Sequence, residues 1–228
     1  MAVDDHIRDT VTAVRPKLRG WLHLGTFPVA IVAGTLLTAL APTLGGRIAG
    51  AIYTLTAALL FGISALYHRG EWSPRVHGAL RRFDHANIFL IIAGTYTPFT
   101  IMLLDSRNAT ILLLVVWIGA LVGIAFRVLW VGAPRWSYVP VYIALGWAAM
   151  FWLPSFAAAG GAAVLVLIIV GGLAYSAGAI IYGLKRPNPS PRWFGFHEIF
   201  HACTLAGFLA HHVGVWLAAF GVGAAVSA

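Results

Sequence analysis

Apolar runs of about 20 residues recur along this chain, each bounded by charged or turn-forming residues, and a run of that length crosses a bilayer as a helix. Inside hydrocarbon every backbone N–H and C=O must be paired within the protein, and a helix does this within one segment. Composition agrees. The 228 residues are 60% hydrophobic and 10% charged, against about 25% charged in an ordinary soluble domain, and the mean hydropathy is +0.86. The chain is expected to be an all-α polytopic membrane protein, one domain over residues 1–228, with seven transmembrane helices near 23–43, 48–68, 85–104, 110–129, 138–153, 163–184 and 198–220. Gly45-Gly46, Asp105 to Asn108, Pro134 to Ser137, Pro154 to Gly161 and Pro187 to Pro191 punctuate them. Residues 1–22 read as a short cytoplasmic segment. Asp4, Asp5 and Asp9 stand among its basic residues, unlike the basic start and apolar core of a secretory signal.

Cytoplasmic loops retain Lys and Arg, so alternate connections can be compared. One set holds Arg8, Arg15, Lys17, Arg19, Arg69, Arg75, Arg81, Arg82, Arg127, Arg135, Lys185, Arg186 and Arg192; the other holds Arg47 and Arg107. This asymmetry predicts a cytoplasmic N-terminus, a C-terminus outside, and residence in a cell membrane, plasma or bacterial inner. It also accounts for the net charge of +8 through anionic lipid headgroups. No nucleic-acid partner is expected, since no basic and aromatic binding surface exists outside the spans.

That topology places His68 at the inner end of the second helix, Asp84 at the inner start of the third, and His197 with His201 at the inner start of the seventh. Nothing in the charge count required these residues to share a depth. Ionisable groups within membrane helices usually face the protein interior and mark function. His197 and His201 stand four residues apart, about 6 Å along a helix axis, so both rings can reach one ion. His68 would supply a third ligand from another helix. Three protein ligands on Zn2+ leave a fourth position for water, whose ionisation near neutral pH yields a nucleophile. Asp84 is expected to hold or deprotonate that water, or to orient a histidine; the alternative is a pairing with Arg81 or Arg82. Ser64 lies one turn deeper than His68 and either contacts substrate or water, or bonds its own helix.

His197 to His201 reads HEIFH, an instance of HExxH, in which the glutamate is the base of a zinc protease. No Asp or Glu follows His201, and His211 and His212 lie about 15 Å further along the helix. A downstream third ligand is therefore absent, and a protease with Glu198 as base and Asp84 as ligand is the lesser reading.

Ser64-x-x-x-His68, the segment Asp84-His85-Ala86-Asn87-Ile88-Phe89 leading into Gly94-Thr95-Tyr96-Thr97-Pro98, and His197-Glu198-Ile199-Phe200-His201 followed by His211 together resemble the signature of the hemolysin III group of the PAQR family (progestin and adiponectin receptors). The resemblance runs through the whole helical region. It implies seven helices, zinc on the residues matching His68, His197 and His201, Asp84 near the metal through water, and Ser64 close by. It further implies an activity. Animal adiponectin receptors of this family are associated with ceramide hydrolysis, bacterial members with membrane homeostasis and historically with haemolysis, and the wider superfamily includes alkaline ceramidases. Receptor members carry a neutral residue where this chain has Glu198, which argues against a shared base there.

The expected function is zinc-dependent hydrolysis of a membrane lipid amide, with a membrane lipid as substrate or ligand. The alternatives are a receptor-like regulatory protein with structural zinc, and a haemolytic pore. A pore would favour polar stripes along several helices, whereas the polar residues here cluster at one depth. His85, Asn87, Tyr96 and His211 are candidates for a polar cavity opening from the metal. His6, His23 and His77 have no convergent partner in the sequence and read as surface residues. The single cysteine, Cys203, excludes an intramolecular disulfide and reads as packing. Gly94, Gly171 and Gly172 suit close helix approach, and the nine tryptophans read mostly as interfacial anchors. Sequence alone leaves any oligomeric partner open.

Overall fold

The computed structural model describes residues 16–130 and 132–226, with side chains through residue 221. Asp4, Asp5, His6, Arg8, Asp9 and Arg15 lie outside the described residues. The helices are α1 (Trp21–Leu40), α2 (Leu44–Arg69), α3 (Pro74–Leu103), α4 (Ser106–Leu129), α5 (Arg135–Gly146), α6 (Leu153–Leu184) and α7 (Phe196–Val226), with a 3-10 turn over Ala148–Trp152 between α5 and α6. Extended pairing among the described residues is limited to one bridge between Ser190 and Phe194.

Local chemistry sets the helix ends. Thr43 caps α2 by accepting from the Gly46 N–H, and Asp105 caps α4 by accepting from Arg107 and Asn108. Pro74 opens α3, where its missing N–H costs nothing. α3 therefore starts well before the expected residue 85. Its first turns carry Arg75, Arg81 and Arg82, which hydropathy reads as loop although Gly78 is the one residue there that disfavours a helix interior.

The expected seven spans are matched in part. By length and apolarity six segments among the described residues can cross a membrane, because the fifth and sixth expected helices fall in one 50-residue stretch, Arg135–Leu184. α5 has only 12 residues and stops at Gly146, short of the expected 153. Tyr96 holds this break: its hydroxyl donates to the Gly146 carbonyl at 2.7 Å and accepts from the Ala149 N–H at 2.9 Å, so the groups freed by the interruption stay paired. The expected loop at Pro154 to Gly161 is mostly helical, with Pro154 in the first turn of α6 and Gly161 alone departing, at φ 76°. A side chain rarely adopts that φ, whereas glycine does so freely.

α3 occupies the centre, and 72% of its apolar window is buried. It packs on α2, α4, α6 and α7, while α7 closes against α6 and α1. Close approach depends on missing side chains. A Cβ on Gly94 would fall 2.0 Å from the Thr56 hydroxyl, and one on Gly123 would fall 2.3 Å from the Phe89 ring. Gly171 behaves likewise, but Gly172 meets its nearest neighbour, Trp147, at an ordinary 3.5 Å. Three tryptophans are internal rather than interfacial anchors: Trp117 donates to Thr97, Trp147 to Ser176 and Trp216 to His212. Cys203 is free and half-buried against Gly178, consistent with packing.

One end of the bundle gathers the basic connections. Arg19 pairs with Glu198, Lys17 lies over Trp193, Arg69 over Trp21, Arg127 over Tyr138 and Arg135 over Tyr182. At the other end Trp152 donates to Asn108.

Candidate metal centre

The last turn of α2 and the first turns of α7 meet at the basic end, and what meets there is imidazole. His68, His197 and His201 each offer a ligand nitrogen, all within 4.8 Å of one another. Nε2 of His197 lies 3.2 Å from Nε2 of His68. Zn–N bonds of about 2.0–2.1 Å at tetrahedral angles place ligand nitrogens roughly 3.3 Å apart. The facing pair thus stands at the separation a shared ion requires, and the donor set fits zinc. His68 is buried, with 6% exposure, and His201 with 2%; His197 is half-buried.

The scaffold fixes these rings from three sides. Glu198 in the first turn of α7 accepts from the Gly195 N–H at 2.8 Å, the return half of a capping box. Its other oxygen pairs with Arg19, and Asn188 accepts from the Phe196 N–H. The helix start carrying His197 and His201 is therefore tied to the segment before α1. That segment reaches His68 through Gly20, whose φ is 80° and whose Cβ, if present, would fall 2.7 Å from the His68 Cβ. Both carboxylate oxygens of Glu198 are committed to this clamp, and its side chain is 1% exposed. It is thereby removed from the base role that HExxH would assign.

Asp84 does not pair with Arg81 or Arg82 among the described residues. Its Oδ2 lies 4.0 Å from His68 Nε2 and 3.8 Å from His85 Nδ1, and Ser64 lines the same cavity as Asp84. Asp84 stands just outside the three-nitrogen group. Ser64, Asp84 and His201 line the inner end of a cavity of about 130 Å³. Its walls are otherwise mainly apolar, from Leu60, Ile88 and Ile91 near the histidines to Phe99, Leu153 and Phe156 farther out.

The four candidate cavity residues divide. His211 and Tyr96 line the cavity, although the Tyr96 hydroxyl is engaged at the α5 break. Asn87 does not; its amide donates to the Leu59 carbonyl at 2.9 Å and ties α3 to α2. His85 does not line it either; its Nδ1 sits 2.7 Å from the Arg81 carbonyl and its Nε2 3.3 Å from the Tyr182 hydroxyl.

His23 corrects the sequence reading most. Expected at the surface, it is 2% exposed, lines the cavity, and stacks on His201 with ring centroids 3.8 Å apart. The signal was present, because His23 sits at the inner start of α1, at the depth that grouped the other histidines. His77 is exposed as expected, touching Tyr67.

This geometry defines a class: a multi-pass helical membrane protein with three convergent histidines and an adjacent carboxylate at the mouth of an apolar cavity. The chain belongs to the haemolysin-III family, whose model matches residues 11–212 under the description "Haemolysin-III related". It is 33% identical over 161 residues to the hemolysin-3 homolog of Bacillus subtilis (strain 168), covering 70% of this chain and 71% of that one. It is 32% identical over 166 residues to hemolysin-3 of Bacillus cereus, covering 72% of each.

Proposed function

We propose that this chain is a zinc-dependent hydrolase of a membrane lipid amide, acting at the cytoplasmic side of a cell membrane and contributing to membrane homeostasis. The observation that carries the reading is the three-nitrogen group with Asp84 beside it, opening on a cavity suited to an acyl chain. The bundle crosses the membrane seven times in this proposal. Arg135 donates to the Tyr182 carbonyl at one end of the Arg135–Leu184 stretch, while its middle meets Asn108 through Trp152 at the other, as an out-and-back path requires. The concentration of Lys and Arg supports a cytoplasmic histidine end and N-terminus, with the C-terminus outside.

Zinc would be held by His68, His197 and His201 and would contribute Lewis acidity toward water and a carbonyl oxygen. Asp84 takes a proton from the attacking water and returns it to the leaving nitrogen, as the C–N bond breaks and a C–O bond forms. The products are a fatty acid and an amine. Ser64 orients the Asp84 carboxyl group. The apolar walls hold the acyl chain and keep bulk water from the reacting carbonyl.

Metal content by mass spectrometry, paired with turnover of lipid amides, tests this reading. Wild type should carry about one zinc, His68→Ala and His201→Ala should lose it, and Asp84→Asn should keep it while turnover falls about 10²–10⁴-fold. Glu198→Gln should lower stability by about 1–3 kcal/mol, since Arg19 loses a partner, with a smaller loss of turnover per folded molecule than Asp84→Asn. Zinc whose removal lowers the melting temperature, with no turnover on any lipid amide, would replace this reading with a regulatory protein holding structural zinc. Absence of zinc from intact wild type would end both.

A further inference from the structure

Farther from the histidine cluster, the cavity wall carries two polar atoms with no partner. Nδ1 of His211 and the hydroxyl of Tyr175 are buried and make no hydrogen bond among the described residues, and both side chains line the cavity. Nε2 of His211 is 3.1 Å from the Ile168 carbonyl. A carbonyl only accepts, so Nε2 carries the proton and Nδ1 is left as a bare acceptor. Tyr53, near Tyr175, gives its own proton to the Phe208 carbonyl and does not satisfy Tyr175.

The fold makes room for both rings. A Cβ on Gly171 of α6 would lie 2.3 Å from the His211 ring, and a Cβ on Gly207 of α7 would lie 2.8 Å from the Tyr175 ring. Each helix thus offers a notch to the other's polar ring, and the centroids stand 5.6 Å apart. Unpaired polar groups deep in a membrane protein are costly, and two glycines seat these two rings side by side in an apolar wall.

We infer that His211 and Tyr175 form a second recognition site in the cavity, for a hydroxyl group carried on the chain of a long amphiphile. A hydroxyl is the simple group that donates to Nδ1 and accepts from the phenol at once. His211 follows His201 by ten residues, about 15 Å along α7, so the hydroxyl sits well down the chain from any polar head at the histidine cluster. The inference deepens the lipid-amide reading by naming a substrate feature, and it rests on that reading for the head's position.

Ricinoleic acid and oleic acid differ by one mid-chain hydroxyl and serve as probes, with affinity measured by calorimetry on purified, zinc-loaded protein in detergent. Wild type should bind ricinoleic acid about three- to tenfold more tightly, the contribution of one buried hydrogen-bonded group. In Tyr175→Phe the ratio of the two affinities should fall to near one. His211→Leu should do the same, and if that variant does not fold, Tyr175→Phe decides alone. Equal affinities in wild type, as a buried water satisfying both atoms would give, overturn the inference and leave the hydrolase reading standing. Binding of neither acid overturns the inference together with lipid occupancy of the cavity. A hydroxyl preference without turnover of any lipid amide retains the second site and removes the hydrolase.

Discussion

His23 presents two ring nitrogens to a wall that offers them no partner among the described residues, while its face stacks on His201 and its edge meets Phe61 at 5.1 Å. Its contacts are those of an aromatic plate behind a candidate metal ligand. An apolar ring of similar shape should therefore serve, since replacing an unsatisfied buried polar group by an apolar one is nearly neutral or stabilising. His23→Phe is expected to unfold within about 1 kcal/mol of wild type and to match the wild type in zinc content, whereas His23→Ala should cost about 2–4 kcal/mol through the space left behind. Loss of zinc from a well-folded His23→Phe would show that the imidazole takes part in the site. Glu198 carries the opposite lesson. The motif around it has catalytic precedent, yet its oxygens are bound to Gly195 and Arg19. A pattern of residue types records spacing along a helix and says nothing of which way a carboxylate turns.

At the scale of elements, α2 and α3 meet where Gly94 faces Thr56. A methyl at Gly94 would fall 2.0 Å from the Thr56 hydroxyl, which itself donates to the Tyr53 carbonyl at 2.9 Å. Gly94→Ala should destabilise by about 1–3 kcal/mol through overpacking, and adding Thr56→Ala should recover much of that loss, as thermal unfolding of the single and double variants would report. No recovery would place the strain within α3 itself. Because α2 carries Ser64 and His68 and α3 carries Asp84, separating them should also weaken zinc retention. Most helix ends were legible within a few residues, because caps, prolines and glycines act locally. The start of α3, the break after α5 and the start of α6, ten residues before the expected 163, were not. The first is a polar helix that hydropathy discounts, and the second depends on a hydroxyl from Tyr96, 50 residues away in sequence.

For the whole molecule, the number of crossings in Arg135–Leu184 fixes the side on which every later residue lies. Cys203 is the only cysteine, so a Cys203→Ala background accepts single reporters at exposed positions. With an impermeant maleimide added outside intact cells, Arg107→Cys and Ala159→Cys should label, while Arg75→Cys and Arg186→Cys should label only after permeabilisation. Labelling of Arg186→Cys from outside would mean one crossing in place of two, and would separate the start of α7 from the cytoplasm.

The sequence by itself determined the membrane setting, the helical class and the shared depth of His68, Asp84, His197 and His201, because apolar run length and charge asymmetry are one-dimensional properties that the bilayer reads directly. Only the tertiary structure decided which of those residues converge. It turned His23 inward and Asn87 toward a backbone carbonyl, bound Glu198 into a clamp, and left His211 Nδ1 and the Tyr175 hydroxyl without a hydrogen-bond partner among the described residues. Those outcomes depend on helix rotation and on notches such as Gly94 and Gly171. Rotation is set by contacts between residues far apart in the chain, and no local pattern encodes it.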